Sequence, residues 1–573
     1  MSKRIVEEAL ASLGRGFDLT SDFRLRFCKG EERLVQLNET EKRTLVIPGF
    51  GPVNNVPADI RCDKGERSRY QSDILEFSKM SEFFNQKSAV PGKIPSGLFN
   101  SMFGFQSNCW ANDAAQIKYL GLDGYFIVLF NLHIDRYPLV LADEVCKAVP
   151  STWDPSALAR FIERYGTHVI VGLGVGGQDV VVVRQDRSSN LGPSELKRHL
   201  DDLGDQLFTG ACTFSPLHYK TKESKHHKGI TVISSKRGGD AMAGSHCEWL
   251  LTVPSMPDAI HFNFIPITSL LKGVPGCGFL SHAINLYLRY KPPLRDLQSF
   301  LEFQTHKLWA PIHNDQPLGP TTNRATSSPS LSFSLMGPKL YVNTSQVVVG
   351  KRPVTGMRFF LEGMKCNKLA IHLQHLSNTP SMLESLVGDT PIWQGSDDAA
   401  AAAGDAYIEG IQGKKFSHIC VAPIEYLLTA GKDVAYIVTG AQLHMKKHDS
   451  KNVLHLRLRF SKVSDSYLAQ STWDRGSEHS QKSGLLSAIS TSLGGNNAAK
   501  EKKLAIHMDS SVYPTGPPVP VQSQKLLKFV DTSQHCKGPQ DCPGHWLVTG
   551  AKLDLEKGKI CVHVKFSLLH LIT

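Results

Sequence analysis

The segment that most constrains the fold is Tyr165-Gly166-Thr167-His168, which leads directly into a long run of β-branched residues and glycines. Upstream, Asp154-Pro155 can cap and open a helix that a glycine then ends. Downstream, Gly172, Gly174 and Gly176 recur at every second position, which is the side-chain period of a strand. One face of this strand therefore carries no side chains, and we predict that another part of the protein packs closely against it.

Two other interpretations of this segment can be weighed from its residues. A nucleotide-binding glycine loop must open a helix whose amides face phosphate, whereas Val180 to Val183 continue the strand here. A catalytic role for His168 would need a nucleophile motif and a partner carboxylate, and neither accompanies it. We predict no enzymatic activity. Tyr165 and His168 are expected to pack at a helix-to-strand corner where Gly166 adopts a conformation that other residues resist.

Composition indicates a folded protein of about two to four domains, with 573 residues, 41% hydrophobic and 20% charged. The first residues turn acidic before any hydrophobic run develops, and the longest apolar stretch, 125–130, is far shorter than the ~20 residues of a membrane-spanning helix. We therefore expect cytosolic synthesis without a signal peptide, a location in the cytoplasm or peripherally at the plasma membrane, and reduced thiols at the 12 cysteines.

The formal net charge of +11 favours anionic partners, and its densest cluster is one basic segment. The lysines of this segment are Lys220, Lys222, Lys225 and Lys228. We predict a membrane-facing loop that binds acidic lipid; the alternative is a merely solvated loop. Aromatic residues do not alternate with these charges, so no nucleic-acid partner is predicted.

A metal site could be sketched near the C-terminus, where Cys536 and Cys542 are flanked by His535 and His545. Their spacing is not that of a familiar zinc motif. We therefore predict no metal site and no cofactor.

Two domains joined by a linker are predicted from the residue distribution. Proline, serine and threonine concentrate in the linker, residues 311–330, which separates residues 1–310 from a β-rich domain over 331–573. In the second domain, Val-Thr-Gly begins a strand three times, at Val354, Val438 and Val548, and each is followed by an alternating strand. Three such units predict a pseudo-threefold, β-prism-like domain; the alternative is chance recurrence of a tripeptide.

The signature Tyr165-Gly166-Thr167-His168 and its glycine-punctuated strand resemble the membrane attack complex/perforin (MACPF) domain. Further segments resemble the plant branch of that family, and together they span nearly the whole chain. They lie at residues 62–67, 93–100, 149–155, 264–271, 280–293 and 337–344. The resemblance implies an α+β fold for the first domain, in which a bent four-stranded antiparallel sheet is flanked by two helical clusters, at about 72–120 and 187–228. It also implies a sheet hinge at Gly238 and Gly239.

The plant branch includes necrotic-spotted-lesion and constitutively-activated-cell-death proteins, so the resemblance implies a membrane-associated, negative regulator of salicylic-acid-linked programmed cell death in plant immunity. One alternative is an oligomeric pore former, because both helical clusters refold into membrane hairpins in pore-forming members. Residues 205–214 alternate only weakly, and Pro91 and Pro95 fall where the first hairpin would run, which disfavours a pore. A second alternative is a lectin-like or lipid-binding module. A homo-oligomer is also expected.

Overall fold

The computed structural model describes residues 2–105, 110–208, 229–311, 329–333, 338–363, 365–398, 404–411, 417–426, 433–448, 451–474, 524–538 and 545–572. The chain divides into two compact units, one over 1–298 and the other over 299–540 and 544–573. The second unit therefore begins before the expected domain boundary at 310. Most of the predicted linker lies outside the described residues, so its role as a linker stays a prediction.

The first unit contains ten helices in its described residues: α1 Ser2–Ser12, α2 Phe77–Lys87, α3 Gly97–Phe103, α4 Trp110–Gln116, α5 Asp143–Lys147, α6 Pro155–Tyr165, α7 Pro193–Phe208, α8 His246–Thr252, α9 Cys277–Tyr290 and α10 Leu297–Glu302, which runs across the boundary. Its strands are β1 Gly16–Phe17, β2 Lys42–Ile47, β3 Gly51–Pro57, β4 Ile60–Lys64, β5 Arg67–Gln71, β6 Leu75–Glu76, β7 Ile117–Ile134, β8 His168–Asp186, β9 Ile230–Arg237 and β10 Asp258–Pro266.

Cys247 in α8 is disulfide-bonded, so the expectation of reduced thiols is wrong for this residue. Sequence spacing does not reveal which thiols meet in the fold.

A single antiparallel sheet of four rows organises the first unit. The long strands β7 and β8 pair along most of their length and form the two inner rows. One outer row consists of β6, β5 and β4, which follow one another along β7. The other consists of β9 and β10, which follow one another along β8. This arrangement confirms the four-stranded antiparallel sheet that the resemblance implies.

At one level, which we call the break line, both outer rows are interrupted and β7 has a bulge. Gly65 separates β4 from β5, and β7 has a bulge between Val128 and Phe130. Gly176 faces this bulge from β8, and Gly238 lies between β9 and β10. Bulges and glycines are the devices that let strands bend, so the break line is where this long sheet can bend.

The four consecutive valines of β8 alternate between two buried faces. Val180 and Val182 pack with phenylalanines of α2 and α3, whereas Val181 and Val183 pack with Leu196 and Leu200 of α7. Successive side chains of a strand point to opposite faces, so the two helical clusters cover opposite faces of the sheet. Both clusters lie within the ranges that the resemblance implies, about 72–120 and 187–228.

The second unit is mostly strands. They are β11 Lys307–Ala310, β12 Ser330–Ser332, β13 Lys339–Val342, β14 Val347–Val348, β15 Val354–Glu362, β16 Lys368–Leu376, β17 Ile392–Gly395, β18 Ile408–Gly410, β19 His418–Cys420, β20 Ile424–Glu425, β21 Val434–His448, β22 Lys451–Ser464, β23 Ser466–Asp474, β24 His535–Cys536, β25 His545–Glu556 and β26 Lys559–Leu571. Among the described residues, two short α-helices, Ser381–Glu384 and Gln524–Leu527, lie between them.

The three Val-Thr-Gly segments form equivalent hairpins, β15–β16, β21–β22 and β25–β26. In each, the pairing register shifts at the threonine, so Thr355, Thr439 and Thr549 occupy the same bulge and are all buried. One hydrophobic cluster includes residues of all three hairpins. A shared bulge and a shared core favour a true repeat over chance recurrence. The arrangement of the sheets as a prism stays a prediction.

The three repeats exchange short strands in a cycle. The strand that precedes each hairpin pairs with the next hairpin: β14 with β21, and β20 with β25. The strand before the third hairpin, β24, returns to pair with β15 of the first. Each repeat therefore contributes a short edge strand to the hairpin of another repeat.

The break line predicts that a methyl group at Gly176 is not tolerated. A Cβ there would lie 1.8 Å from the carbonyl oxygen of Ile127, so a backbone would have to shift. We expect Gly176→Ala to lower the free energy of unfolding by about 3 kcal/mol. The control is Gly278→Ala, because a Cβ at Gly278 in α9 would meet nothing within 4 Å. Equal melting temperatures for the two variants would contradict the prediction.

Candidate functional site

The corner between α6 and β8 is tied to the N-terminal strand. Gly166 adopts φ +78° and ψ −159°, and a Cβ there would lie 2.5 Å from the carbonyl oxygen of Phe17. The amide of Thr167 donates a hydrogen bond to that same oxygen at 2.9 Å. Only glycine adopts this backbone conformation readily, so the strand end can approach closely. The corner thus holds β1 against the start of β8.

Tyr165 and His168 surround this corner as buried side chains. The Tyr165 ring packs on Phe161 with centroids 4.8 Å apart. His168 is 4% exposed, its Nδ1 lies 3.0 Å from Thr167 Oγ1, and burial lowers its pKa to about 4. A neutral imidazole bonded to a neighbouring hydroxyl packs and orients the corner. The signature residues therefore have a structural role at this corner.

The glycine face of β8 is lined by side chains of the neighbouring strands. A Cβ at Gly174 would meet Asn131 and His261, and one at Gly172 would meet Asn263. These three side chains border a polar depression of about 530 Å³. The expected close approach of backbone is present at Gly176, but over the other two glycines short polar side chains occupy the space.

Gly238 and Gly239 lie at the break line with positive φ values of +67° and +71°. A Cβ on Gly238 would lie 2.2 Å from the carbonyl oxygen of Gly176, and one on Gly239 would lie 2.7 Å from the indole nitrogen of Trp249. That indole N–H donates to the Gly238 carbonyl at 2.6 Å. The structure thus brings this glycine pair against the bend of β8 and against helix α8.

The C-terminal end of α7 is held on the sheet by a charge network that we call the α7 clamp. Its centre is Asp123 of β7, whose side chain is fully buried and accepts hydrogen bonds from Arg69 at 2.7 Å and from Gln71 at 2.9 Å. Arg69 also pairs with Asp205 of α7 at 2.8 Å, and the bond to Asp123 raises the pKa of Arg69. Gly204 permits this approach, because a Cβ there would lie 1.9 Å from Asp123 Oδ2.

A second buried pair lies beside the clamp. His246 of α8 contacts Asp179 of β8, with Nδ1 and Oδ2 2.8 Å apart, and both side chains are buried. Phe208, at the end of α7, lies against both the His246 ring and Arg69. The end of α7 is thus fixed from two sides.

The α7 clamp is not visible in the sequence. Its residues lie far apart along the chain, at 69, 123 and 205, and no local pattern joins them. One signal was available, because Asp123 is the one charged residue in the otherwise apolar stretch 119–130 of β7, and a charged residue at such a position needs a partner.

The predicted basic segment and the cysteine–histidine segment near the C-terminus lie wholly or partly outside the described residues. Lys220, Lys222, Lys225 and Lys228 lie outside the described residues, so the membrane-facing loop stays a prediction. No helix among the described residues is both long and apolar enough to cross a membrane. Cys542 is also outside the described residues, while the neighbouring His535 lies 3.4 Å from Asp474.

The clamp predicts unequal costs for two similar arginines. Arg69→Met leaves Asp123 buried and unpaired, and we expect a loss of about 3 kcal/mol in the free energy of unfolding. Arg61 also pairs with an aspartate, Asp135, but both side chains are more than half exposed, at 51% and 60%. Arg61→Met should cost less than about 0.5 kcal/mol. Thermal unfolding of both variants measures the difference; equal shifts would show that the clamp does not stabilise the fold.

The burial of His168 predicts that stability depends on pH. The folded pKa is about 4 and the ordinary value is 6.5, so between these values only the unfolded chain binds this proton. The free energy of unfolding therefore falls as pH decreases through this window, by about 3 kcal/mol in total. His168→Phe should remove this contribution. Parallel profiles of melting temperature against pH for the two proteins would contradict the assignment.

Comparison with known proteins gives one family. A family model described as MAC/Perforin domain matches residues 6–297. The chain is 56% identical over 615 residues to the MACPF domain-containing protein At1g14780 of Arabidopsis thaliana, with 99% of this chain and 98% of that protein covered.

Two further Arabidopsis thaliana relatives are similar over almost their whole length. The MACPF domain-containing protein NSL1 is 46% identical, with 99% of this chain and 97% of that protein covered. The MACPF domain-containing protein CAD1 is 44% identical, with 99% and 96% covered. The matched family model spans the unit that carries the four-row sheet and the signature corner, and the chain therefore belongs to the plant MAC/Perforin domain family.

Proposed function

We propose that this protein, without catalysing a reaction, acts as a membrane-associated negative regulator of salicylic-acid-linked programmed cell death in plant immunity. Its similarity to NSL1 and CAD1 extends over nearly the whole chain, which supports a role shared with that branch. We further propose a location in the cytoplasm and peripherally at the plasma membrane, with acidic lipid and further copies of this chain as partners.

The observation that carries the proposal is the α7 clamp. Conversion of the second helical cluster into a membrane hairpin would pull α7 off the sheet. The bonds from Arg69 and Gln71 to Asp123 join two strands of the sheet, so they would break only if those strands also moved. The pairing of Arg69 with Asp205 and the contact of Gly204 with Asp123 would be lost in any case. Asp205 is 63% exposed, so its pair with Arg69 contributes little by itself. Detachment is opposed mainly because it would uncover the buried carboxylate of Asp123 beside Gly204 and the apolar contacts of Leu196 and Leu200 with the sheet. The clamp thus favours a resting, folded cluster, as a regulator requires.

A pore-forming oligomer is the second candidate, because the two helical clusters cover opposite faces of one antiparallel sheet. The first cluster is attached differently from the second. Phe77, Phe84, Phe99 and Phe103 pack there ring against ring, and in the described part of this cluster the ion pairs, such as Lys93 with Glu82, are exposed. Apolar attachment of this kind could be exchanged for lipid at low cost, so pore formation would begin with the first cluster. A lectin-like or lipid-binding role of the second unit remains the third candidate.

The proposal predicts membrane binding without leakage. Purified full-length protein is floated with vesicles of acidic or neutral lipid, and dye release is measured in the same samples. We expect flotation with acidic vesicles and no dye release. Binding with release would favour the pore former, and no binding to either vesicle would contradict a membrane-associated regulator.

A matched pair of charge variants tests the lipid contact. Replacing Lys220, Lys222, Lys225 and Lys228 with glutamine should abolish flotation with acidic vesicles, since each nearby cation contributes about 1 kcal/mol. The control replaces four scattered, exposed lysines, Lys79, Lys147, Lys272 and Lys462, and changes the net charge equally. Equal losses in the two variants would show that total charge, and not this segment, attracts the vesicle.

A further inference from the structure

The third hairpin of the second unit gathers four side chains with metal-binding chemistry on one face. Asp554 and Glu556 alternate along β25, and Cys561 and His563 alternate along β26. Asp554 pairs directly with Cys561 across the hairpin, and residues two apart on a strand share a face. All four side chains therefore point to the same side, near the turn at Lys557.

Three of these side chains bring their ligand atoms together. The Nε2 atom of His563 lies 2.8 Å from Glu556 Oε1 and 3.6 Å from Cys561 Sγ, and all three atoms lie within 4.8 Å of one another. Tetrahedral zinc sites with bonds of ~2.0–2.3 Å separate their ligand atoms by about 3.3–3.7 Å. The cysteine and histidine already have this spacing. Glu556 Oε1 lies about half an ångström too close to His563, and the Glu556 side chain, which is 39% exposed, has room to adjust its distances to both partners.

Asp554 supplies the supporting contact that a metal-bound histidine usually has. Its Oδ2 atom lies 3.3 Å from Nδ1 of His563, on the opposite side of the ring from Glu556 and Cys561. The contact does not have the geometry of a hydrogen bond, but the nearby negative charge favours the tautomer with its proton on Nδ1, which leaves the Nε2 lone pair for a metal. Lys552 pairs with the same oxygen at 2.6 Å and balances the charge of Asp554.

The other two repeats provide an internal comparison. In the first, Glu362 and His372 occupy the places of Glu556 and His563 and lie 3.2 Å apart, but Ala370 stands at the place of Cys561. In the second, Lys446 and Arg457 occupy the places of Glu556 and His563, so two positively charged side chains lie where the third repeat has a glutamate and a histidine. A histidine–glutamate pair therefore also occurs in a repeat that lacks the other two groups. The thiol of Cys561 and the second carboxylate, Asp554, are present in the third repeat and not in the first.

From this geometry we infer that the third hairpin binds one divalent metal ion of the zinc type through Glu556, Cys561 and His563, with Asp554 orienting the histidine. Thiolate and imidazole ligands select zinc-like ions over calcium or magnesium. Binding replaces the thiol proton of Cys561, which is released to solvent. Three protein ligands leave a fourth position for water or for a ligand from a partner.

The signal in the sequence was an Asp-x-Glu dyad and a Cys-x-His dyad on facing strands. The prediction of no metal site rested on the spacing of Cys536 and Cys542, and that spacing does not show which strand residues face each other. Within the described residues, His535 and Cys536 are not among the groups whose ligand atoms come together.

Cobalt binding to the full-length protein tests the inference. After removal of bound metal with a chelator, the reduced protein is titrated with Co²⁺. We expect one equivalent to bind with the visible absorption of a tetrahedral site and the near-ultraviolet band of a thiolate ligand, and Zn²⁺ to remove both signals. A titration without a thiolate band would overturn the inference.

The variants identify the ligands. Cys561→Ser and His563→Gln should lose the cobalt signals, and Asp554→Asn should weaken binding about 10-fold or more. Cys536→Ser is the matched control and should bind as the parent protein does. Loss of the signals in Cys536→Ser but not in Cys561→Ser would overturn the assignment.

Folding is monitored separately so that a misfolded variant is recognised. The metal-free melting temperatures of Cys561→Ser and the parent protein should agree, while Zn²⁺ should raise only that of the parent. If Cys561→Ser does not fold, Ala370→Cys gives a second test, because it places a thiol beside Glu362 and His372. It should add a second, weaker cobalt site; one unchanged site would count against the inference.

Discussion

The first unit depends on close backbone contact between β7 and β8 at the level of the bulge in β7. The hydrogen of Gly176 faces the carbonyl oxygen of Ile127 at a distance where a methyl group could not fit. On one side of this level the sheet is covered by the helical clusters, and on the other β8 leads back to the signature corner and β1. A side chain at the crossing point would separate the two inner strands, and the outer rows are paired only to these.

The two helical clusters are held to this sheet by different physical means. Interlocking phenylalanine rings attach the first, and their contribution depends on area removed from water. The second is attached by apolar packing of Leu196 and Leu200 on Val181 and Val183, and in addition by the α7 clamp, whose contribution depends on each partner being in place. The first attachment can slide or exchange contacts gradually. The clamp adds a requirement for one geometry, so α7 has a defined docked state.

The sequence predicted the parts of the fold that local patterns encode. The signature at residues 165–168, the period of the glycines and the Val-Thr-Gly units indicated the helix-to-strand corner, the long strand and the repeats, because turns and strand alternation depend on neighbouring residues. The bent four-stranded sheet was expected from the family resemblance. The α7 clamp and the cluster around His563 were missed because they join residues from different strands or helices. Their chemistry depends on register and on which faces meet, and one chain without its fold does not show either.

The cyclic exchange of short strands makes the second unit a closed chain of dependencies. The edge of the first hairpin at Gly356 is covered by residues 535–536, which are synthesised nearly two hundred residues later. Until then that edge carries unpaired backbone groups, which can pair with other chains. The unit therefore cannot mature repeat by repeat as a linear array of repeats does. The three repeats complete their sheets only when the last strands are present. Until the ribosome has finished the chain, the strands already synthesised must avoid pairing with wrong partners.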